Sequence, residues 1–391
     1  MNILFDARVI QDHFPGIGRY AFNLLSALPA EMRAGEQIVV LHDPSTPSTR
    51  LPIQALREKP SPNVQWREWR VPVFGLKNLA SRPPRIANGV AHFLYYVRPT
   101  MAGMPAVTTI YDTISLIYPE YVPSARTRWI IHTLHALAVR ASRRVVTISQ
   151  SAASDIARFY PQSKNKLIVT PLAADPSFTP QPDHAVEAAR AQFQLQGRFA
   201  FYLASNKPHK NLVRLIDAWA ILTRDWELAR RESSVSNHDG PILVIAGHVD
   251  PRYPEAQTRV KELGLELHVR FIGPVSDAQA AALYSACDLF VYPSLYEGFG
   301  LTPLEAMACG APVACSNSSS LPEVAGDAAL LFDPTKPEEI ARVCLRALRD
   351  DALRAGMRER SLKQAAKFNW QRTAQLTIDV YRQSAIETRK T

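Results

Sequence analysis

The sequence has little of what marks an extracellular or membrane protein. It contains only four cysteines among 391 residues, all in the second half and without the short spacings of a metal site. No apolar run approaches the roughly 18 residues that suggest a membrane-spanning helix. Met1 leads directly into an apolar strand pattern instead of a charged leader. We therefore expect a cytoplasmic protein without disulfides or structural zinc.

Glycine and proline show no repeat, although the chain has 16 of the first and 30 of the second, which excludes a collagen-like chain. An apolar fraction of 47% is too high for disorder, and the length predicts two domains. Short apolar runs alternate with helical patterns such as residues 19–28 and 126–141. The fold class we predict is α/β, with parallel sheets.

Acidic residues are scarce in the first part of the chain. Residues 1–180 hold 20 Lys and Arg against 11 Asp and Glu, whereas residues 181–391 hold 25 of each kind. Eight of the basic residues lie between positions 50 and 90. Such a field would attract anionic lipid, phosphorylated acceptors or nucleic acid, although it would also suit a solvated face. We find no RNA-binding aromatic motif or helix-turn-helix, so nucleic acid is not an expected partner.

Three prolines within residues 175–183 exclude a helix interior or a central strand, and we place the interdomain linker there. A second series of strands and helices follows. Because open α/β sheets bind ligands at the carboxyl ends of their strands, we expect the functional residues at strand-to-helix turns.

The segment YEGFGLTPLE carries the strongest functional signal. Gly298 and Gly300 allow a tight turn, and Thr302 followed by proline marks the start of a helix. The N–H groups of Leu301 and Thr302 would point outward from the helix N-terminus, which is a binding site for anions. We expect a diphosphate there.

Two carboxylates lie on either side of this turn. Glu305, one turn into the helix, could accept hydrogen bonds from the hydroxyls of a ribose, and Glu297 could meet those of a second sugar. One such glutamate would be an ordinary surface or helix residue. Two at this spacing around a glycine turn favour a binding site.

This pair resembles the E-x7-E signature of retaining glycosyltransferases of family 4. The segments GIGRYAFNLLSAL, VVTISQSAASDI, HKNLVRLIDAW and FNWQRTAQ follow in the order of that family, so the resemblance covers essentially the whole chain. It implies the GT-B fold, with two facing Rossmann-like domains, an acceptor domain over residues 1–180 and a nucleotide-sugar domain over residues 181–370. Residues 371–391 would form a C-terminal helix that crosses back to the first domain.

The resemblance also implies a nucleotide-diphosphate sugar as co-substrate, with no other cofactor. Lys210 would bind the diphosphate, Val275 would lie against the base, and Gly16 and Gly18 would form a glycine loop that opens a helix. The donor-binding residues implied in full are Gly16, Gly18, Ser205, Asn206, Lys210, Val275, Glu297, Gly298, Phe299, Gly300, Leu301, Thr302 and Glu305.

In the first domain, the resemblance places Tyr111, Asp112 and Arg19 on the acceptor side. Relatives commonly have histidine and aspartate where this chain has Tyr111 and Asp112, and a tyrosine cannot act as an imidazole would near neutral pH. Asp112, Glu297 and Lys210 are the expected catalytic residues. We expect His92, near another strand, to be a structural histidine.

The chain contains no D-x-D pair, the spacing by which another large class of glycosyltransferases holds a metal ion. We expect no metal site. The segments ILFDARVIQDHFPGIGRY and TTIYDTISLIYPEY most resemble polysaccharide and O-antigen mannosyltransferases. This implies mannose transfer from GDP-mannose to a saccharide or lipid-linked acceptor, with peripheral association at the inner face of the membrane.

Other donors and reactions stay open. A UDP-sugar-dependent glucosyl- or N-acetylhexosaminyltransferase would share this fold, as would a nucleotide-sugar epimerase or a phosphorylase. An epimerase would consume its nucleotide sugar without an acceptor.

Overall fold

A computed structural model of the chain describes residues 1–59, 61–232 and 240–386. The chain divides into two compact units, one formed by Met1–Leu172 with Asn369–Thr391 and the other by Ala173–Phe368. Each unit contains one parallel sheet, with seven strands in the first and six in the second.

The sheet of the first unit has the order β3-β2-β1-β4-β5-β6-β7, and all neighbouring strands are parallel. The order reverses between β1 and β4, which is the switch point of a doubly wound sheet. The strands are β1 (Asn2–Asp6), β2 (Gln37–His42), β3 (Val64–Glu68), β4 (Gly89–Phe93), β5 (Ala106–Thr109), β6 (Arg144–Thr147) and β7 (Leu167–Val169).

Side-chain caps begin two of the helices in the first unit. The hydroxyl of Ser124 accepts a hydrogen bond from the Thr127 N–H, and that of Ser149 accepts one from the Ala152 N–H. The helices are α1 (Pro15–Ala27), α2 (Ile53–Glu58), α3 (Leu76–Ala80), α4 (Ile114–Ile117), α5 (Ala125–Ala141) and α6 (Gln150–Phe159).

The second sheet has the order β10-β9-β8-β11-β12-β13, again parallel throughout, with its switch point between β8 and β11. Its strands are β8 (Phe199–Leu203), β9 (Ile242–Ala246), β10 (Val269–Gly273), β11 (Leu289–Tyr292), β12 (Val313–Ser316) and β13 (Leu330–Phe332).

Helices cover both faces of this sheet, because alternate strand residues point to opposite sides. Phe201 and Phe290 belong to one core cluster, and Ala200 and Val291 belong to another that includes the buried Trp219. The helices are α7 (Asp183–Gln192), α8 (Leu212–Glu232), α9 (Glu255–Glu262), α10 (Asp277–Ala286), α11 (Leu301–Ala308), α12 (Leu321–Ala325), α13 (Pro337–Arg349) and α14 (Asp351–Ala365).

The last helix, α15 (Trp370–Ile386), belongs to the first unit. The Tyr381 hydroxyl lies 2.6 Å from Nδ1 of His92 in β4, and the Thr373 hydroxyl donates to the Pro171 carbonyl at 2.7 Å. An ion pair of 2.9 Å joins Arg382 to Glu36. Together with its buried apolar residues, these contacts hold α15 against the first sheet.

The unit boundaries differ from those predicted. The proline-rich residues 175–183 lie within the second unit, because Phe178 is buried in its core and the Gln181 N–H donates to the Ser285 hydroxyl at 3.1 Å. The division falls after Leu172 and after Phe368, and not at residues 180 and 370.

The predicted glycine loop also differs. Gly16 and Gly18 lie inside α1, because Pro15 occupies the first turn and fixes a helical backbone there. Across the described residues, no helix combines the length and apolar character needed to cross a bilayer.

Candidate active site

Except for Val275, which follows β10, the functional residues predicted in the second unit follow the two strands at its switch point. Residues 204–211 leave β8, and residues 293–300 leave β11 and lead into α11. The carboxyl ends of neighbouring parallel strands lie at the same edge of a sheet. The topology therefore brings together two loops that are far apart in the chain.

Lys210, Glu297 and Tyr292 form a hydrogen-bonded triangle at this edge. Nζ of Lys210 lies 2.6 Å from Oε1 of Glu297 and 3.0 Å from the Tyr292 hydroxyl, which donates to the same Oε1 at 2.9 Å. The Lys210 and Glu297 side chains are only 17% and 15% exposed. The structure thus joins two predicted catalytic residues in one ion pair.

The two charges stabilise each other. Burial disfavours both ionised forms, but the Lys210 ammonium outweighs it and lowers the pKa of Glu297, while the Glu297 carboxylate raises the pKa of Lys210. Burial, and then the Glu297 charge, raise the pKa of Tyr292. Burial and the Lys210 charge lower the pKa of His209 to about 4. At neutral pH the site therefore holds an ionised pair beside a neutral phenol and a neutral imidazole.

Buried hydrogen bonds lock the two loops together. Asn211 has a left-handed backbone with φ +61°, and its amide donates to the carbonyls of Pro293 at 3.0 Å and Pro334 at 2.7 Å. The Leu295 N–H and the Ser294 hydroxyl both donate to the His209 carbonyl. These bonds fix the backbone on either side of Lys210 and Glu297.

A third loop holds the backbone of Glu297. Its N–H donates to the Ser319 hydroxyl at 2.9 Å, and its carbonyl accepts from the Ser320 hydroxyl at 3.0 Å. These serines and Asn211 were not predicted from the sequence. Their only signals were a serine run and an asparagine next to Lys210, and neither indicates which backbone atoms they bind.

Gly300 is the N-cap of α11, and its φ of +107° is in the region that favours glycine. No side chain of the described residues caps this helix. Helix geometry leaves the N–H groups of Leu301 and Thr302 without intrahelical acceptors, and both residues are partly exposed. The arrangement suits an anion.

Three other predicted donor residues of this segment differ in burial. Glu305 is 8% exposed within α11, and Phe299 is 3% exposed with its ring 5.8 Å from that of Phe368. Gly298 is partly exposed. Phe299 therefore packs in the core of the second unit.

Of the remaining predicted donor residues in the second unit, Asn206 already forms hydrogen bonds within the protein. Its amide donates to the carbonyls of Asp250 and Tyr253, and its side-chain oxygen accepts from the Asp250 N–H at 2.7 Å. Ser205 is half-buried and its carbonyl accepts from Tyr202, while Val275 packs against the core. Asn206 thus orders the segment after β9.

Gly247 was not singled out from the sequence. Its φ is +125°, and a Cβ there would collide with the Ala204 carbonyl. Its N–H donates to the Gly273 carbonyl at 2.9 Å. The carboxyl ends of β8, β9 and β10 therefore lie close together. Ala204, Gly247 and Gly273 line a small cavity there, together with Asn206.

The predicted acceptor-side residues lie in the first unit, as do Gly16 and Gly18. Tyr111 donates its hydroxyl to the Leu94 carbonyl at 2.9 Å and contacts Tyr20, so its phenol is used within this unit. Asp112, after β5, accepts a hydrogen bond from the N–H of Ile114, the first residue of α4, at 3.0 Å. Both residues therefore lie at the carboxyl edge of the first sheet.

In α1, a Cβ on Gly16 would meet nothing within 4 Å, whereas one on Gly18 would lie 3.0 Å from the Val9 carbonyl. Arg19 is partly buried. Gly18 thus serves close packing, and the space beside Gly16 is open.

His92 is fully buried and makes two hydrogen-bond contacts, at 2.6 Å to the Tyr381 hydroxyl and at 2.8 Å to the Thr109 hydroxyl. Burial lowers its pKa to about 3. It is a neutral structural histidine, as expected from the sequence. Residues 1–59, 61–232 and 240–386 contain no cluster of three or more His, Cys, Asp or Glu that could hold a metal ion.

The chain is similar to known proteins along its whole length. Residues 186–364 match the family described as Glycosyl transferases group 1. O-antigen chain mannosyltransferase B of Escherichia coli is 30% identical over 393 residues, which cover 98% of this chain and 100% of that protein. The serotype-specific mannosyltransferase WbdA of Escherichia coli is 36% identical over 239 residues, which cover 60% of this chain and 28% of WbdA.

The fold is also similar to a solved structure. Sucrose-phosphate synthase from Thermosynechococcus elongatus matches with a TM-score of 0.70 at 20% identity, and the match covers 98% of both chains. The two parallel-sheet units are thus the Rossmann-like domains of the GT-B fold. The chain belongs to the family of glycosyl transferases group 1, and it is a glycosyltransferase.

Proposed function

We propose that this enzyme transfers mannose from GDP-mannose to a saccharide or lipid-linked acceptor in the synthesis of a cell-surface polysaccharide, with retention at the anomeric carbon. The observation that carries the proposal is the convergence of Lys210, Glu297 and the N-terminus of α11 at the switch point of the second sheet. The names of the relatives favour mannose over other sugars.

The diphosphate of the donor would lie on the N–H groups of Leu301 and Thr302, close to the Lys210 ammonium. Fixed backbone donors and a largely buried cation stabilise the negative charge that grows as the bond from C1 to the diphosphate breaks. The N–H groups cost no reorganisation, because Gly300 and the loop bonds already orient them.

Lys210 is paired with Glu297 at 2.6 Å. A diphosphate would compete with the carboxylate for the ammonium, and its arrival would leave Glu297 able to accept hydrogen bonds from sugar hydroxyls. Glu297 would then orient the mannose while Lys210 holds the leaving group. Glu305 would accept bonds from the ribose.

The acceptor would bind to the first unit, with Asp112 beside it. The exposed face of α5 supports peripheral membrane association. Trp129 is 66% exposed and Ile130 and Leu137 are each 40% exposed, and α5 has no acidic residue. Exposed arginines accompany these side chains, namely Arg126, Arg128 and Arg140. Apolar side chains beside cationic ones suit an anionic bilayer.

The donor is tested by measuring the thermal stability of the protein with GDP-mannose, GDP, UDP-glucose and UDP-N-acetylglucosamine. Binding to the folded state alone raises the melting temperature, and we expect the largest rise with GDP-mannose. A rise with UDP-sugars alone would instead support the alternative glucosyl- or N-acetylhexosaminyltransferase.

The reaction is tested by GDP release from GDP-mannose with mannotriose as acceptor, followed by NMR of the product. We expect an α-linked product and little GDP release without mannotriose. A β-linked product would contradict retention, and rapid donor consumption without acceptor would favour an epimerase. We also expect full activity in excess chelator; a strict requirement for added divalent metal would contradict phosphate binding by Lys210 and α11.

A further inference from the structure

Aromatic rings from three loops meet at the carboxyl edge of the first sheet. The rings of Phe14 and Phe74 stack with centroids 5.2 Å apart. His13 and Tyr95 lie edge-on to Phe74, at 5.5 and 5.7 Å. We call His13, Phe14, Phe74 and Tyr95 the aromatic cluster. Nothing in the proposed chemistry at Lys210 uses it.

The cluster lies at the switch point of the first sheet. His13 and Phe14 follow β1 and Tyr95 follows β4, and the strand order reverses between these two strands. Open α/β sheets bind ligands in the crevice at that point. Phe74 reaches it from the segment after β3.

Asp112 lies within electrostatic reach of the cluster. Burial, then Tyr96 and then the Asp112 carboxylate raise the pKa of Tyr95. An aromatic surface and the predicted acceptor-side carboxylate are thus neighbours in one unit.

Phe74 is exposed, although Phe14, which stacks against it, is buried. Its side chain is 46% exposed, whereas Phe14 behind it is 7% exposed. Phe14 covers one face of the Phe74 ring, and nearly half of the Phe74 side chain is open to solvent. Leu76, two residues on, is 82% exposed.

A buried charged network fixes the segment that carries Phe74. Arg8, 2% exposed, pairs through Nε and Nη2 with both oxygens of Asp6, at 2.8 and 2.7 Å, and donates to the Val71 carbonyl. Its Nη2 also reaches Oδ1 of Asn78 at 3.2 Å. The fully buried Asn78 amide donates to the carbonyls of Val73 and Val97.

A buried ion pair is favourable only when its hydrogen bonds are satisfied. Here the bonds from Arg8 to Val71 and Asn78 tie residues 71–78 to the end of β1. The bond from Asn78 to Val97 ties them to the segment after β4. The open ring of Phe74 is therefore held in place before any ligand arrives. Preorganisation of this kind lowers the entropic cost of binding.

We propose that His13, Phe74 and Tyr95 form a saccharide-stacking site that holds the acceptor chain. The apolar C–H face of a pyranose would lie on the open Phe74 ring, while its hydroxyls would meet the polar atoms of His13 and Tyr95. This rests on the proposed function, in which the acceptor is a saccharide. Aromatic rings beside the Asp112 carboxylate at the switch point of the sheet suit a polar ligand with one apolar face, as a pyranose has, better than a bilayer.

The test measures mannotriose binding by calorimetry without any donor, in the unchanged protein and in Phe74→Ala, Phe74→Tyr and Met101→Ala. Met101 is a matched control, since it is 61% exposed in the same unit and outside the aromatic cluster. An aromatic stacking contact is worth about 0.5–1.5 kcal/mol. We expect Phe74→Ala to weaken mannotriose binding by roughly two- to tenfold, and Phe74→Tyr and Met101→Ala to bind as the unchanged protein does.

Thermal unfolding and GDP binding serve as the second readouts, because a fold defect would lower the melting temperature and loss of a stacking surface would change neither. We expect all three variants to bind GDP equally. Unchanged mannotriose binding in Phe74→Ala would overturn the proposal, as would failure of the unchanged protein to bind mannotriose. The proposal would also be overturned if Phe74→Ala lost binding to phosphatidylglycerol vesicles but kept its affinity for mannotriose. The aromatic cluster would then bind the bilayer and not the saccharide. If mannotriose binding depends on Phe74 but GDP-mannose is not used, only the proposed donor fails.

Discussion

Lys210 and Glu297 are 87 residues apart in the chain, yet Nζ of one lies 2.6 Å from Oε1 of the other. They follow β8 and β11, the two strands at the switch point of the second sheet. The ion pair therefore arises from the strand order. It joins the cation proposed to bind phosphate and the carboxylate proposed to bind sugar hydroxyls in one mutually neutralised pair.

Replacing Lys210 with alanine should reduce turnover strongly. It removes the cation proposed to stabilise the leaving diphosphate, and losing one such contact typically costs about 10²–10³ in kcat. The measurement is GDP release from GDP-mannose with mannotriose, alongside circular dichroism to confirm the fold. Wild-type kinetics in Lys210→Ala would remove this lysine from the mechanism.

Lys207→Ala is the matched control for that variant. Lys207 is an exposed lysine in the same loop, and no described contact joins it to Glu297. We expect it to retain kcat within about twofold, since an exposed charge is screened by solvent. An equal loss in both variants would mean that the general charge of the loop matters and not the ion pair.

The sequence predicted β8 and β11, but it did not predict that Lys210 and Glu297, which follow them, are in contact. Apolar runs at residues 199–203 and 289–291 predict two strands, and β8 and β11 lie within a residue of those bounds. Such runs are typical of a parallel sheet, whose strands are buried on both faces. No strand is predicted at β3, because Val64–Glu68 is a largely polar edge strand, or at β13, because it has three residues.

The family motif named Glu297 and Lys210 separately, but no spacing in the chain indicates that they touch. The same holds for the serines and Asn211 that fix their backbone, since each binds a carbonyl or N–H distant in sequence. Phe299 was assigned to the donor site from its place in the motif, yet its ring lies in the core. Contacts set by tertiary packing were thus outside the reach of local patterns.

Gly300→Ala should weaken donor binding and lower stability. Its φ of +107° is strained for any residue with a Cβ, and that atom would lie 2.8 Å from Cδ2 of Leu321. Such strain typically costs about 1–3 kcal/mol, and relieving it would turn the first N–H groups of α11 away from the diphosphate. Urea unfolding and GDP calorimetry measure the two effects.

Gly16→Ala is the comparison for Gly300→Ala, because it adds the same methyl group in a helical backbone with open space beside it. Alanine is the better helix former by up to about 1 kcal/mol, so stability should be unchanged or higher. If Gly300→Ala proved as stable as Gly16→Ala and bound GDP normally, the left-handed turn would have no role in the site.

Acid should destabilise the protein through His92. The pKa of His92 is about 3 in the folded state, against about 6.5 for a solvated histidine. The unfolded chain therefore binds the proton more readily, so the full stability is present above pH 6.5 and falls as the pH drops below it. The loss is about 1.4 kcal/mol for each pH unit between 6.5 and 3.

Urea unfolding at pH 7.5, 6.0 and 5.0 measures this loss. We expect the free energy of unfolding of His92→Asn to depend less steeply on pH, by the slope that corresponds to about one bound proton. His135 is also buried, and burial lowers its pKa to about 4. It therefore adds to the acid sensitivity of both the unchanged protein and His92→Asn. His184→Asn, at an exposed position, should leave the slope unchanged. An identical slope in His92→Asn and the unchanged protein would show that His92 is protonated, or titrates normally, in the folded state.

The exposed face of α5 should bind anionic vesicles. Trp129 lies among arginines on this helix, and an amphipathic surface of that composition gains both from apolar burial and from about 1 kcal/mol for each cation near an anionic leaflet. In cosedimentation with vesicles containing phosphatidylglycerol, we expect Trp129→Ser to bind roughly tenfold more weakly.

Met101→Ser removes an equally exposed apolar side chain of the same unit and should bind as the unchanged protein does. Raising the salt concentration should weaken binding in every case, and equal binding to vesicles of phosphatidylcholine alone would argue against an electrostatic contribution from α5.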